Sequence, residues 1–125
     1  MYKRQIPFYT RLWLEEEKTE AELAEQEGTE AANYKMKISS QALGMEEAEA
    51  AVAEAGAEVE WLDDVRQNYA EWEAENGTYK IWLEDSTSLE EKLKLIKQNK
   101  LAGVAEWRLG WENSSVWDLI LQYVN

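Results

Sequence analysis

Apolar and polar positions change period several times along this chain, and each change marks an element. Ile6 to Trp13 is a short aromatic-rich run with Pro7 near its start, where a missing N–H costs a strand least, so it predicts a strand. Period-2 geometry puts Pro7, Tyr9 and Arg11 on one face and Ile6, Phe8 and Thr10 on the other. Tyr34 to Ser39 sets Tyr34, Met36 and Ile38 against Lys35 and Lys37, a half-buried strand pattern. Met45, Ala48, Val52 and Ala55 then recur at helical spacing. Glu46 and Glu47 suit the first turn of that helix, and Gly56 suits a left-handed terminator.

Residues 57–85 read as an antiparallel meander with strands near Val59–Leu62, Tyr69–Glu75 and Thr78–Glu84. Asn76-Gly77 is its strongest local signal. A two-residue type I′ turn centred there would pair Glu73 with Lys80 and Trp72 with Ile81, with Trp72, Tyr79 and Ile81 in the core. Ser88 followed by Glu91 predicts a capping box, and Leu89, Leu93 and Ile96 form the buried stripe of the helix it starts. Leu101 to Trp107 is a further strand, with Ala102 and Gly103 leaving room for close packing. Ser115 and Asp118 cap a last helix along Val116, Ile120, Tyr123 and Val124.

Between these elements, Glu15 to Glu30 holds eight Glu and one Lys among small residues, a composition that reads as a mobile acidic loop. Its spacing is not that of a calcium loop. The acidic balance extends to the whole chain of 125 residues, whose formal net charge is −13 with no His and no Cys. That charge argues against nucleic acid and against anionic lipid surfaces, which both select Lys and Arg clusters. No apolar run approaches the ~20 residues a membrane span requires. Without Cys or His, the usual thiolate and imidazole ligands are missing, so no metal and no cofactor are expected.

Four stretches carry a family resemblance. LAGVAEWRLGWENSSVWDLI, Leu101 to Ile120, resembles the final strand and helix of a glycoside hydrolase family 18 barrel, and IPFYTRLW, Ile6 to Trp13, looks like the seventh strand of the same barrel. KISSQALGMEEA, TYKIWLED and GVAEWRLGWE read much like the spore-cortex and peptidoglycan branch of that family. The resemblance implies an α/β fold: the C-terminal portion of a TIM (β/α)8 barrel, strands 7 and 8 with their helices, interrupted by an α+β chitinase insertion domain. Residues 6–13 would be strand 7, residues 14–85 the insertion domain with the acidic loop 15–30, and residues 86–125 helix 7, strand 8 and helix 8. A complete barrel needs about 250 residues, so only a minority of one is present.

Residues 1–5 stand apart. MYKRQ is charged where a buried parallel strand should be apolar. Read back as GTG TAT AAG AGA CAG from a GTG start, it matches the end of a common transposon sequencing adapter, so residues 1–5 are expected to be an artefact of metagenomic sequencing.

The resemblance also assigns roles. Trp107 matches the strand-eight Trp that floors the subsite of the sugar to be cleaved, and its bland alternative is a Trp capping the core. Tyr9 and Arg11 match the family's Y-x-R strand, whose hydroxyl and guanidinium hydrogen-bond the substrate or adjacent acids. Trp13, Trp82 and Trp111 are further candidate cleft residues, each with a packing alternative. Glu106 and Glu112 do not occupy the family's catalytic position, and the D-x-x-D-x-D-x-E run that supplies the catalytic acid is absent from this sequence.

The chain alone is therefore not expected to be catalytic. Its parent would be a retaining, substrate-assisted glycosidase acting beside N-acetylglucosamine in chitin or peptidoglycan, extracellular, wall-associated or spore-associated. The remaining barrel would be its intramolecular partner. A non-catalytic, lectin-like relative of the same fold is the alternative, and a freestanding α+β interaction module is the third.

Overall fold

The computed structural model describes residues 3–124. It is a mixed α/β structure with two sheets. Strand β1, Lys3–Pro7, pairs in parallel with β7, Gly103–Trp107, in a two-stranded sheet. The second sheet is antiparallel, in the order β3-β2-β6-β5-β4, built from β2 Tyr9–Glu17, β3 Met36–Gly44, β4 Glu60–Leu62, β5 Gln67–Ala74 and β6 Gly77–Leu83.

The strand expected over 6–13 is thus two strands. Phe8 is the break, a fully buried residue between a parallel pair and an antiparallel sheet. The physical reason is burial. Ile6 and Phe8 both enter the core under the helices, and period-2 alternation cannot continue in one flat strand while β2 leaves to join another sheet. Of the residues set aside at the N-terminus, Met1 and Tyr2 lie outside the described residues. Lys3, Arg4 and Gln5 are paired with Gly103, Val104 and Ala105.

Four α-helices complete the described fold. The segment expected as a mobile acidic loop is largely structured. Strand β2 runs on to Glu17, helix α1 spans Glu20–Glu25, and a 3-10 turn spans Glu30–Asn33. Local polar contacts replace the missing apolar burial. Thr19 and Glu22 form a reciprocal capping box, Glu22 pairs with Lys37 at 2.8 Å, and Lys18 Nζ donates to Gln26 Oε1 at 2.7 Å and to the Ala31 carbonyl at 2.8 Å.

Helix α2, Met45–Ala55, ends at Gly56 in the left-handed conformation, as the pattern predicts. Helix α3 spans Ser86–Gln98, so it starts two residues before the expected Ser88. Asp85 is its N-cap: Asp85 Oδ1 accepts from the Ser88 N–H at 3.0 Å, and Ser88 Oγ accepts from the Asp85 N–H at 3.0 Å. Glu91 is released from capping and pairs instead with Lys94 at 2.6 Å. Helix α4, Ser115–Val124, starts where Asn113 Oδ1 accepts from the Ser115 N–H.

Two apolar clusters form the core. Ile6, Phe8, Met45, Leu89, Leu93, Ile96, Val116 and Ile120 join the parallel pair to α3 and α4. Leu43, Ala48, Val52, Ala70, Ile81 and Leu83 seat α2 on one face of the antiparallel sheet. Helix α2 reaches both, with Met45 in the first cluster and Ala48 and Val52 in the second. Tyr79 is half-buried rather than core, and Trp72 is packed against the second cluster.

The β5–β6 hairpin departs from its expected register by two residues. Trp72 faces Tyr79, Glu71 faces Lys80, and Ala74 faces Gly77, so Glu75 and Asn76 make the turn. Gly77 is needed elsewhere. A Cβ on it would collide with the Glu15 carbonyl of β2, and its φ of 150° disfavours any side chain. A shift of two keeps every side chain on its own face, which is why the buried set remains as the sequence predicts.

Candidate functional site

Strand β7 ends at Trp107, whose carbonyl accepts from the Phe8 N–H at 2.6 Å. Pro7 lies beside Trp107 in register, and Tyr9 begins β2 one residue past the break. The tail of the parallel pair and the head of the antiparallel sheet therefore meet. Gln5, Ile6, Pro7, Tyr9 and Trp107 line an open concavity of about 250 Å³ there. Trp107 is 57% exposed in this chain.

Tyr9 is held from behind. Its ring meets Trp111 edge-on at 6.3 Å, and the Arg108 guanidinium lies 4.3 Å from the Trp111 ring centre. Trp111 in turn sits close against Gly44, where a Cβ would come within 3.1 Å of the Trp111 carbonyl oxygen. That oxygen accepts from the Met45 N–H at 2.8 Å. Trp111 is thus a packing residue at the junction, not part of the concavity's lining.

Arg11 departs from its expected place. It belongs to the antiparallel sheet, not to a parallel strand, and does not line the concavity. Its Nε donates to Ser40 Oγ at 2.8 Å, its Nη2 donates to the Ser40 carbonyl at 3.4 Å, and its guanidinium lies 6.0 Å from the Trp13 ring centre. Trp13 and Trp82 lie on the same sheet face, opposite the one α2 covers, at 37% and 38% exposure. The structure brings Trp107 and Tyr9 together, then, and spreads Arg11, Trp13 and Trp82 across the adjoining sheet.

Tyr69 joins that spread, and the sequence reading missed it. It is opposite Trp82 across β5 and β6, ring centres 4.9 Å apart, and its hydroxyl donates to Glu71 Oε2 at 2.6 Å. Burial together with that carboxylate pushes the Tyr69 phenol up to about 12. The signal was present in the alternation of β5, but pairing Tyr69 with Trp82 required the true register.

Two carboxylates in the segment around Trp107 behave differently. Burial raises Glu106 above its ordinary value. Backbone N–H groups at Glu112 itself and at Gly110 hold Glu112 below it, the latter donating to Glu112 Oε2 at 2.6 Å. Among the described residues, Glu106 makes no ion pair.

No family model matches the chain. The C-terminal domain of a chitinase-like protein from Desulfitobacterium hafniense DCB-2 superposes with a TM-score of 0.75 at 24% identity, covering 97% of this chain and 34% of that one. The Bacillus megaterium QM B1551 spore cortex-lytic enzyme SleL gives 0.68 at 21% identity, over 97% of this chain and 25% of that one. The fold is that of chitinase-like proteins.

A class V chitinase from Nicotiana tobaccum, solved in complex with NAG4, matches this chain at a TM-score of 0.61 and 16% identity, over 96% of this chain and 32% of that one. Fifty-three residues of the chain are 36% identical to the cortical fragment-lytic enzyme of Bacillus subtilis (strain 168), 42% of this chain and 12% of that protein. The chain therefore spans about a third or less of the length of these proteins.

Proposed function

We propose that this chain is the C-terminal portion of a glycoside hydrolase family 18-like enzyme that cleaves β-1,4 bonds next to N-acetylglucosamine in spore-cortex peptidoglycan or in chitin. The single observation that carries the reading is the exposed Trp107 ring sharing one concavity with Tyr9 at the end of two parallel strands. In TIM barrels the working residues gather at the C-terminal ends of parallel strands, and Pro7 and Trp107 are the last residues of β1 and β7. These two strands would be neighbours in such a barrel, with the antiparallel sheet and α2 as the insertion between them.

The chemistry follows from residue types. A broad indole face covers the apolar C–H face of a pyranose without charge cost, and the Tyr9 hydroxyl supplies a hydrogen bond at its edge. The concavity binds and orients, while the proton donor comes from a part of the barrel outside this sequence. Binding that fixes the scissile sugar converts remote contacts into rate. The parent would work outside the cell, at a wall or a spore.

The test is titration of the chain with N-acetylchitotetraose, followed by tryptophan fluorescence. Saturable binding is expected, with Trp107→Ala weakening it at least about tenfold. Equal binding by Trp107→Ala and the parent chain would overturn the reading. Hydrolysis by the chain joined to its upstream barrel separates an enzyme from a sugar-binding relative.

A further inference from the structure

The antiparallel sheet ends on one side in β4, three residues long, and on the other in β3, nine residues long. A short edge strand offers little to pair with, while a long one presents a row of free backbone groups. Which groups of β3 are free follows from the ladder. The Lys18 N–H donates to the Lys35 carbonyl at 2.8 Å, and the Glu15 carbonyl lies against Gly77 of β6, on the other side of β2. Bonded positions alternate in an antiparallel pair. Lys35, Lys37, Ser39 and Gln41 therefore turn their backbone groups to β2, and Met36, Ile38, Ser40 and Ala42 turn theirs outward. The Arg11 side chain takes one of these outward groups, the Ser40 carbonyl, at 3.4 Å.

The side chains of this edge do not protect it. Ile38 is 63% exposed, and Tyr34 and Met36 are exposed at the same parity of the strand. Lys37 belongs to the opposite face, where Glu22 holds it at 2.8 Å. Met36 to Ala42 contains no Pro, no Gly and a single charged residue, so the usual devices that blunt an edge strand are missing.

Charge narrows what can pair there. Residues 31–45 hold no Asp or Glu, the longest such stretch in a chain of net charge −13, and they carry Lys35 and Lys37. Two acidic copies repel least where these stretches meet. A basic partner strand would lie against both lysines, and a strongly acidic one would meet the acidic remainder of the chain.

Symmetry then selects the register. A two-fold pair of β3 strands must set outward residues opposite outward residues, so its axis passes through a residue rather than between two. An axis at Lys37 sets that lysine against its own copy, and an axis at Met36 sets Lys35 against Lys37. Like charges directly opposite are unfavourable. An axis at Ile38 sets Met36 against Ser40, Lys37 against Ser39 and Lys35 against Gln41. No like charges then meet, and the two exposed Ile38 side chains cover each other.

We propose that β3 is a self-association edge, where two copies of this chain pair antiparallel about Ile38 and join their five-stranded sheets into one. Backbone bonds form at Met36, Ile38 and Ser40 of each copy. The pairing is independent of what Trp107 binds.

The experiment is sedimentation velocity on the 125-residue chain over a concentration series. A monomer–dimer equilibrium is expected, tighter at higher salt because screening shortens the repulsion between the copies. A chain that is monomeric at every concentration overturns the proposal, and so does association that salt weakens. Ile38→Pro removes an outward N–H and the exposed side chain while leaving every β2–β3 bond, since proline is accepted on an edge strand whose N–H faces solvent. It is expected to raise the dimer dissociation constant at least about tenfold with an unchanged far-UV circular dichroism spectrum. Unchanged association in that variant overturns the edge. Ile38→Cys tests the register without proline. The chain has no Cys, and a bonded antiparallel pair holds its Cα atoms about 5.5 Å apart, within disulfide reach. Oxidation with diamide should therefore cross-link Ile38→Cys into dimers far faster than Val65→Cys, an equally open control in the β4–β5 turn at 52% exposure. Equal cross-linking at the two positions overturns the pairing.

Discussion

The Phe8 N–H donates to the carbonyl of Trp107 at 2.6 Å, so the residue that breaks the first strand is bonded to the residue that ends the last one. This contact fixes where the antiparallel sheet departs from the parallel pair. It also sets Tyr9 beside Trp107.

Phe8 should therefore be among the costliest truncations in the molecule. It is fully buried and meets Trp117 edge-on at 5.5 Å. Phe8→Ala is expected to lose about 3–5 kcal/mol of stability in urea unfolding, against about 0.5 kcal/mol for a surface substitution such as Glu27→Ala.

A second weak point is Gly77. Its side-chain position is filled by the Glu15 carbonyl and its φ of 150° is costly for other residues, so Gly77→Ala is expected to lose about 1–3 kcal/mol. Gly28→Ala is the control, being left-handed at φ 82° with open space around its Cβ position. Thermal melts of the two should separate steric collision from backbone preference.

Glu84 is buried at 6% exposure, where both its oxygens accept from Lys92 at 2.6 Å and Oε1 accepts from Ser88 Oγ at 2.7 Å. Lys92→Met leaves this carboxylate buried with only the hydroxyl, and about 2–4 kcal/mol should be lost. Replacing both partners, as Glu84→Gln/Lys92→Met, should recover much of that loss. A double-mutant cycle measures the recovery.

The acidic segment gives a pH prediction. The hydrogen bond from Lys37 is the main reason the Glu22 carboxyl falls from its ordinary 4.5 to about 2, with the Thr19 N–H adding to it. A depressed folded value means that its contribution is present above about pH 4.5 and is lost as pH falls from there toward 2. Side-chain carboxyl titration by NMR should place Glu22 near 2 in the parent chain and well above that in Lys37→Met. A Glu22 titration unmoved by that substitution would assign the shift to the helix cap instead.

Much of the core was legible because it rests on spacing. Leu89, Leu93 and Ile96 recur at helical period and are buried together on α3, and Met45, Ala48 and Val52 do so on α2. The family resemblance was legible for another reason: GVAEWRLGWE holds the strand that ends in Trp107 and the turn that packs Trp111, a short stretch with several constraints in it. The ring pair across β5 and β6 was less legible. Tyr69 and Trp82 become partners only in a register two residues away from the one that Asn76-Gly77 suggests.

The sequence by itself determined the buried stripes of α2 and α3 and the acidic balance of the chain, since period and charge are local properties, while the candidacy of Trp107 and Tyr9 came from the family resemblance. Only the tertiary structure decided that the chain breaks at Phe8, that Gly77 yields its turn position to clear the Glu15 carbonyl, that Arg11 lies on the sheet with Ser40, and that Trp111 packs while Trp107 stays open. Each of these depends on contacts between residues far apart in sequence. Such contacts override local preference because a buried ring or a backbone collision is worth more than the few tenths of a kcal/mol, up to about 1, that separate one turn or strand boundary from the next.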